Sequence, residues 1–364
     1  MTHPRTAALQ LAARLLFAIV IAGMLTARTS ETSSGLAGQR NPLSVTGVRV
    51  VGSGLVDEMG APVRLIGLNR AGTEYACAQG WGIFDGPSGP PVVSSMKSWD
   101  VNAVRVPLNE DCWLGINVTP KFSGAVYRAA IMRYVRQLSS EGIIAILDLH
   151  WSAPGSTPAE SQQEMPDEHS VAFWRSVATT FRTSAQVIFE LYNEPNSVTW
   201  QCWMSGCEMP GGWRSVGMQS LIDVVRGTGA SQPIIVDGLR WANNLSGWLS
   251  HPLFDPKHQL VAGFHVYPQN LCVTSKCWSA TVGSVSKSVP VIATEVGEDD
   301  CSGSFFTKFF DWANSRRISV LAWTWNDNQG CRSLIRQPDS GATTYGLAVL
   351  RDYERLAHEI LPSS

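Results

Sequence analysis

Eight apolar, β-branched segments, each bounded by turn residues and most followed by a stretch of helical spacing, limit this chain more than any other feature. They run Val63–Asn69, Val101–Leu108, Ile143–His150, Val187–Glu194, Pro233–Leu239, Val261–Tyr267, Val289–Val296 and Ser319–Asn326. Between them, Val126–Leu138, Val171–Phe181, Trp213–Val225 and Phe305–Trp312 carry apolar residues on one helical face, and Tyr353–Ile360 would close the ring. Eightfold alternation of strand and helix predicts an α/β fold, a single (β/α)8 TIM barrel. Upstream, Val48–Val51 and Leu55–Val56 with the turn Asp57–Gly60 read as a small N-terminal β-hairpin that covers the N-terminal mouth. The 364 residues hold one barrel with extensions, and neither an internal repeat nor a second domain is visible.

The termini and cysteines bear on location. His3, Arg5 and Arg14 precede the apolar run Leu15–Leu25, which suits a signal-peptide core better than a membrane span. Residues 1–27 are therefore expected to be a signal peptide, with an uncleaved anchor as the alternative; cleavage after Ala37 is a second option. Residues 28–44, rich in Ser, Thr and Gly, read as a flexible linker, and 45–364 as the barrel. Eight cysteines, an even number behind a signal-like start, predict disulfides and a secreted protein. Cys202/Cys207 and Cys272/Cys277 are near enough to close local loops. Cys77–Cys112 and Cys301–Cys331 are the expected remaining pairs, each flanking one end of the fold.

Charge is sparse, 16% with a net of −2, which argues against nucleic acid or a polybasic membrane contact beyond the signal segment. The 14 tryptophans exceed what packing needs and point to a sugar ligand, because pyranose C–H faces stack on indoles.

The strands begin apolar and end in residues that are costly to bury unpaired. Arg105 lies on the second, Asp148 and His150 end the third, and Asn193 and Glu194 end the fourth. His265 and Tyr267 end the sixth, Glu295 the seventh, and Trp323 and Trp325 the eighth. In a barrel these ends share one face, where active sites lie. Glu194, just before Pro195, and Glu295 sit on strands four and seven, where they can oppose each other across the mouth. Two opposed carboxyl groups are what glycoside cleavage requires. The bland alternative for each is an ion pair with a barrel arginine.

With Asn102-Ala-Val-Arg-Val-Pro107, Leu149-His150, Asn193-Glu194-Pro195 and Thr294-Glu295-Val296-Gly297 in this order, the chain resembles glycoside hydrolase family 5, from about Val48 onward. The resemblance implies Glu194 as general acid/base and Glu295 as nucleophile of a retaining double displacement. It further implies Asn193 on the sugar 2-hydroxyl, Arg105 and Tyr267 beside Glu295, and His150 and His265 on hydroxyls around the cleavage point. A tryptophan after strand eight would floor the subsite, Trp323 by the family pattern rather than Trp325. Asn69-Arg70-Ala-Gly-Thr-Glu74-Tyr75 departs from the commoner family pattern and leaves the distal subsites open. Trp81, Trp113, Trp200 and Trp241 fall in loops after strands, where they would line a cleft or pack.

The expected activity is endo-β-1,4-glucanase on a polysaccharide or oligosaccharide, by a monomer that uses neither metal nor cofactor. No C-x-x-C and no H-E-x-x-H occurs, so a metallohydrolase lacks its usual ligand spacing. The same chemistry on β-mannan, β-1,3-glucan or a glycolipid remains the alternative, because fold and carboxylate pair do not choose the sugar. A non-catalytic carbohydrate-binding barrel is the alternative of another class.

Overall fold

The computed structural model describes residues 45–337 and 340–360. The expected signal segment and linker lie outside the described residues. The eight barrel strands are β1 (Ile66–Asn69), β2 (Ala103–Asn109), β3 (Ile144–Trp151), β4 (Val187–Glu190), β5 (Ile234–Asp237), β6 (Leu260–Val266), β7 (Val291–Val296) and β8 (Ser319–Ala322). All pair in parallel with their chain neighbours, and β8 pairs with β1 to close the barrel. Each expected strand is present.

Alternation along the strands divides the interior into two storeys. The lower storey is apolar: Leu65, Ala103, Ile144, Ile146, Ile188, Ile235, Val261, Ile292 and Leu321 pack together. Val45, Val48 and Leu55 join them from below. The N-terminal element is thus the expected plug, although it has three strands rather than two: Arg49–Val51, Gly54–Val56 and Pro62–Val63. The upper storey, one inward position further along, is polar: Asn69, Arg105, Asp148, Glu190, Asp237 and His265, all fully buried. Residues of opposite parity, such as Val104, Val106, Leu147 and Leu149, face the helices in a second, larger core.

The helices Ala125–Ser140, His169–Phe181, Ser304–Asn314 and Thr344–Ile360 cover the expected segments and extend them. Trp213–Gly217 differs, since the helix begins only at Met218. Before it, Met209 N–H donates to Trp213 O and Ser215 N–H to Cys207 O, across a turn whose Gly211 and Gly212 both have positive φ. Among the described residues no regular helix joins β5 to β6; turns do so, with Trp248 Nε1 donating to Val236 O at 3.1 Å. None of the described helices is long and apolar enough to cross a membrane.

Two expected strands end early. β4 stops at Glu190, Tyr192 is buried in the outer core and Glu194 has φ +52. β8 stops at Ala322, and Trp325 turns outward.

All four expected disulfides form: Cys77–Cys112, Cys202–Cys207, Cys272–Cys277 and Cys301–Cys331. Cys77–Cys112 closes 35 residues and Cys202–Cys207 closes 5, so loop-closure entropy ranks them differently. Cys77→Ser with Cys112→Ser is expected to cost about 4 kcal/mol and the Cys202/Cys207 double serine variant about 2 kcal/mol. Urea unfolding of the two variants beside the parent checks the order.

Candidate active site

Arg105 is the hub of the upper storey. Its fully buried guanidinium reaches Glu190 (Nε to Oε2, 2.6 Å), Asp148 (Nη2 to Oδ2, 3.0 Å) and Glu295 (Nη1 to Oε1, 2.5 Å). It also donates to Asn69 Oδ1 at 3.1 Å and Asn193 Oδ1 at 2.8 Å. Five segments, from β1, β2, β3, β7 and the end of β4, are joined through one planar cation. A rigid five-donor fork can do this; an ammonium cannot.

Glu295 reaches the mouth through an irregularity in β7. Ile292 and Thr294 share inward parity, so strict alternation would turn Glu295 outward. The register against β6 shifts between Ala293 and Glu295, and both Thr294 and Glu295 face the interior side. A bulge re-aims a side chain in this way. Glu295 then accepts from Tyr267 Oη and from Arg105. Burial alone would raise its pKa, yet His265 and Arg105, helped by the Tyr267 hydroxyl, outweigh burial and hold the carboxyl below its ordinary value. Gly297 leaves room for the Tyr267 ring, against which any Cβ would collide.

Glu194 lies opposite, half-buried, with its side chain 18% exposed. Its Oε1 faces His265 Nδ1 at 2.9 Å, and its N–H donates to Asp237 Oδ2 at 3.2 Å. One carboxylate oxygen of Glu194, one of Glu295 and a ring nitrogen of His265 lie within 4.8 Å of one another. Both ring nitrogens of His265 are engaged, Nε2 with Thr294 Oγ1 at 3.0 Å, and Thr294 passes its own hydroxyl hydrogen to Glu190 Oε1 at 2.8 Å. Burial disfavours an imidazolium, but Glu295, Asp237, Glu190 and Glu194 push the His265 pKa well above its ordinary value. Because the Thr294 hydroxyl donates to Glu190, His265 Nε2 is the donor to Thr294 Oγ1. Glu190, which burial would raise, is held at about 2, chiefly by Arg105 and His265.

Trp323 and His150 form the apolar wall. Their rings stack with centroids 5.6 Å apart and 11° between planes, and His150 Nδ1 contacts Asp148 Oδ2 at 2.6 Å. Burial and the nearby Arg105 lower the His150 pKa, so this ring is neutral. Trp323 groups with Ala71 and Tyr267 at the mouth. Trp325 does not join the site: it packs edge-on against Trp99 at 5.0 Å, because the alternation that would turn it inward ends with β8. Trp113 is fully buried against Phe173 and Tyr127, and half-buried Trp200 packs on Trp203 and His251. Trp81 and Trp241 are exposed. Tyr75, Trp81 and Trp151 line a cleft of about 730 Å³ with Gln79, Asp85, Asn328 and Gln329.

The profile of the cellulase family, glycosyl hydrolase family 5, matches residues 56–329. The chain belongs to glycosyl hydrolase family 5. Among curated relatives it is 21% identical over 321 residues to an endoglucanase from Microbulbifer sp., covering 84% of this chain and 56% of that protein. It thus spans little more than half of that relative's length. A β-glucanase from Saccharophagus degradans shares the fold with a TM-score of 0.68 at 21% identity, over 86% of this chain and 94% of that one. An endocellulase from Pyrococcus horikoshii aligns with a TM-score of 0.65 at 20% identity, over 87% and 100%.

Sequence reasoning overlooked Glu190 and Asp237 and gave Asn69 and Asp148 no role. The signal was available: Glu190 follows Ile188, and Asp237 follows Ile235, at inward parity within apolar strands. A carboxyl group at such a position needs a buried partner: Arg105 supplies it for Glu190, and His265 Nε2 lies 3.5 Å from Asp237 Oδ2. Gly263 on β6 provides the space, since a Cβ there would strike the Asp237 carboxylate.

Arg105→Met should destabilise the protein by about 3–5 kcal/mol at pH 7, because Asp148, Glu190 and Glu295 would remain buried without their cation. The pH dependence has a sign. In the parent, the depressed Glu190 contributes stability that is present above about pH 4.5 and lost as pH falls through that value towards 2. In the variant the orphaned acids gain from protonation. The deficit should therefore shrink below about pH 5 in urea titrations of both proteins.

Proposed function

We propose that this chain is a secreted, retaining endo-β-1,4-glucanase that cleaves cellulose or a related β-glucan, with Glu295 as nucleophile and Glu194 as general acid/base. The observation that carries the reading is the approach of the two carboxylates to within 4.8 Å, oxygen to oxygen. Retaining enzymes hold their carboxyl groups about 5–5.5 Å apart, whereas inverting ones need about 6.5–9.5 Å to admit a water between. The two environments also differ in the required sense. Glu295 is gripped by Arg105 and Tyr267 and favoured as the anion, while Glu194 faces the open mouth.

In the first step a Glu295 oxygen attacks the anomeric carbon as the C–O bond to the leaving sugar breaks and Glu194 delivers its proton to the departing oxygen. The glycosyl ester on Glu295 is then hydrolysed: Glu194 takes a proton from water, the hydroxide equivalent attacks the same carbon, and Glu295 leaves. Asn193 would bind the sugar 2-hydroxyl, Trp323 would floor the ring at the cleavage point, and His150 would meet a hydroxyl. His265 would orient Glu194.

A glucan chain is favoured by the relatives described as endoglucanases and by the Saccharophagus degradans β-glucanase determined with cellotetraose. The Tyr75–Trp81–Trp151 cleft gives successive sugars an aromatic surface beside the mouth. Secretion is supported by the signal-like start and the four disulfides.

Glu194→Gln should lower turnover of unactivated β-glucans by about 10²–10⁴-fold and keep a burst with aryl glycosides bearing good leaving groups. Full steady-state activity of that variant would remove Glu194 from the mechanism. In parallel assays of reducing-sugar release, carboxymethylcellulose should be cleaved faster than mannan or laminarin; a reversed order would reassign the substrate while leaving the carboxylate pair intact.

A further inference from the structure

Beside the proposed catalytic centre, a second group of acidic side chains is buried without a matching cation. Glu110 and Asp111 open the short helix Glu110–Leu114 after β2, and Asp167 and His169 lie at the start of the His169–Phe181 helix after β3. The three acids are fully buried, and no arginine or lysine forms an ion pair with them among the described residues. Ligating atoms of Glu110, Asp111 and His169 lie within 4.8 Å of one another.

The outer oxygens of the group are occupied. Ser170 Oγ donates to Glu110 Oε2 at 2.6 Å, Ala159 N–H to Asp111 Oδ2 at 2.9 Å, and His169 N–H to Asp167 Oδ1 at 2.9 Å. The inner atoms are not: Glu110 Oε1, Asp167 Oδ2 and His169 Nδ1 are buried without a hydrogen-bond partner. His169 Nδ1 stands 4.0 Å from Glu110 Oε1 and 3.9 Å from Asp167 Oδ1. That is too far for a hydrogen bond. Ligands that hold one tetrahedral ion at about 2.0–2.2 Å stand roughly 3.3–3.6 Å apart, so an ion would draw these groups together by a few tenths of an ångström.

We propose that Glu110, Asp111 and His169, with Asp167 beside them, form a binding site for one divalent cation of the zinc or manganese class. One imidazole nitrogen with carboxylate oxygens suits these ions better than calcium, which takes oxygen ligands only. The site is structural. It joins the helix that carries Cys112, bonded to Cys77, to the segment 152–168. Gln162 in that segment donates through Nε2 to the carbonyls of Asn193 and Glu194, each at 2.8 Å. A cation here braces the backbone under Glu194 from outside the barrel. No metal spacing marks the site in the chain because its ligands come from two loops more than 50 residues apart by number.

The test uses the tag-free full-length chain, stripped with a chelator and dialysed. Zn2+, Mn2+ and Ca2+ are titrated singly by calorimetry, and bound metal is counted by mass spectrometry after gel filtration. The expected result is one equivalent of Zn2+ or Mn2+ with a raised melting temperature, and affinity weakened more than tenfold in both Glu110→Gln and His169→Ala. Glu194→Gln, which alters the carboxylate–histidine group at the mouth, should still bind one equivalent. Failure of the stripped protein to take up Zn2+ or Mn2+ overturns the proposal and leaves Glu110 and Asp167 to share a proton. Unchanged binding by His169→Ala, or loss of binding by Glu194→Gln, overturns it by placing the ion at the mouth.

Discussion

The upper half of this barrel depends on a single guanidinium. Arg105 is fully buried and touches three carboxylates and two amides that arrive on four other segments. Each acid would be costly to bury as an anion alone, and so would the arginine. Together they satisfy one another, and the cost of placing so much charge in a barrel interior is spread over a geometry that no pair could supply. The same cation makes two neighbours unlike. Glu295 stays ionised although buried, while His150, also near Arg105, is kept neutral. Stability and chemistry are therefore not separable at this residue.

The two storeys of the interior explain why the site can be both polar and rigid. Below, isoleucine, valine and leucine side chains fill the barrel and are sealed by the N-terminal sheet. Above, the same strands continue with polar residues at the same parity, so the site inherits the stiffness of the strands rather than the freedom of loops. Small residues make this possible: Gly263 admits Asp237, and Gly297 admits Tyr267.

The aromatic surplus divides differently from what composition implies. Trp113, Trp174, Trp203 and Trp278 are fully buried and hold the helices to the barrel. Trp174 Nε1 donates to Leu191 O at 2.9 Å and Trp203 Nε1 to Asp237 O at 2.9 Å, so both clamp backbone next to the site. Trp323 stands at the mouth, and Trp81 and Trp151 line the adjoining cleft.

The amino-acid order by itself determined the barrel, because the periods of strand and helix and their eightfold alternation are local properties that admit few packings. It also determined which residues reach the C-terminal face, since strand ends are marked by proline and by side chains that resist burial. The disulfide pairs were legible for a related reason, two of them being local. What only the tertiary structure decided was direction. Glu295 faces inward through a shift of register against β6, Glu194 through a left-handed backbone turn, and Trp325 outward because its strand had already ended. Each of these breaks the two-residue period on which sequence parity relies. The partners of Glu190, Asp237 and Glu110 were hidden for a second physical reason: a buried charge advertises that it needs compensation, but not which distant segment provides it.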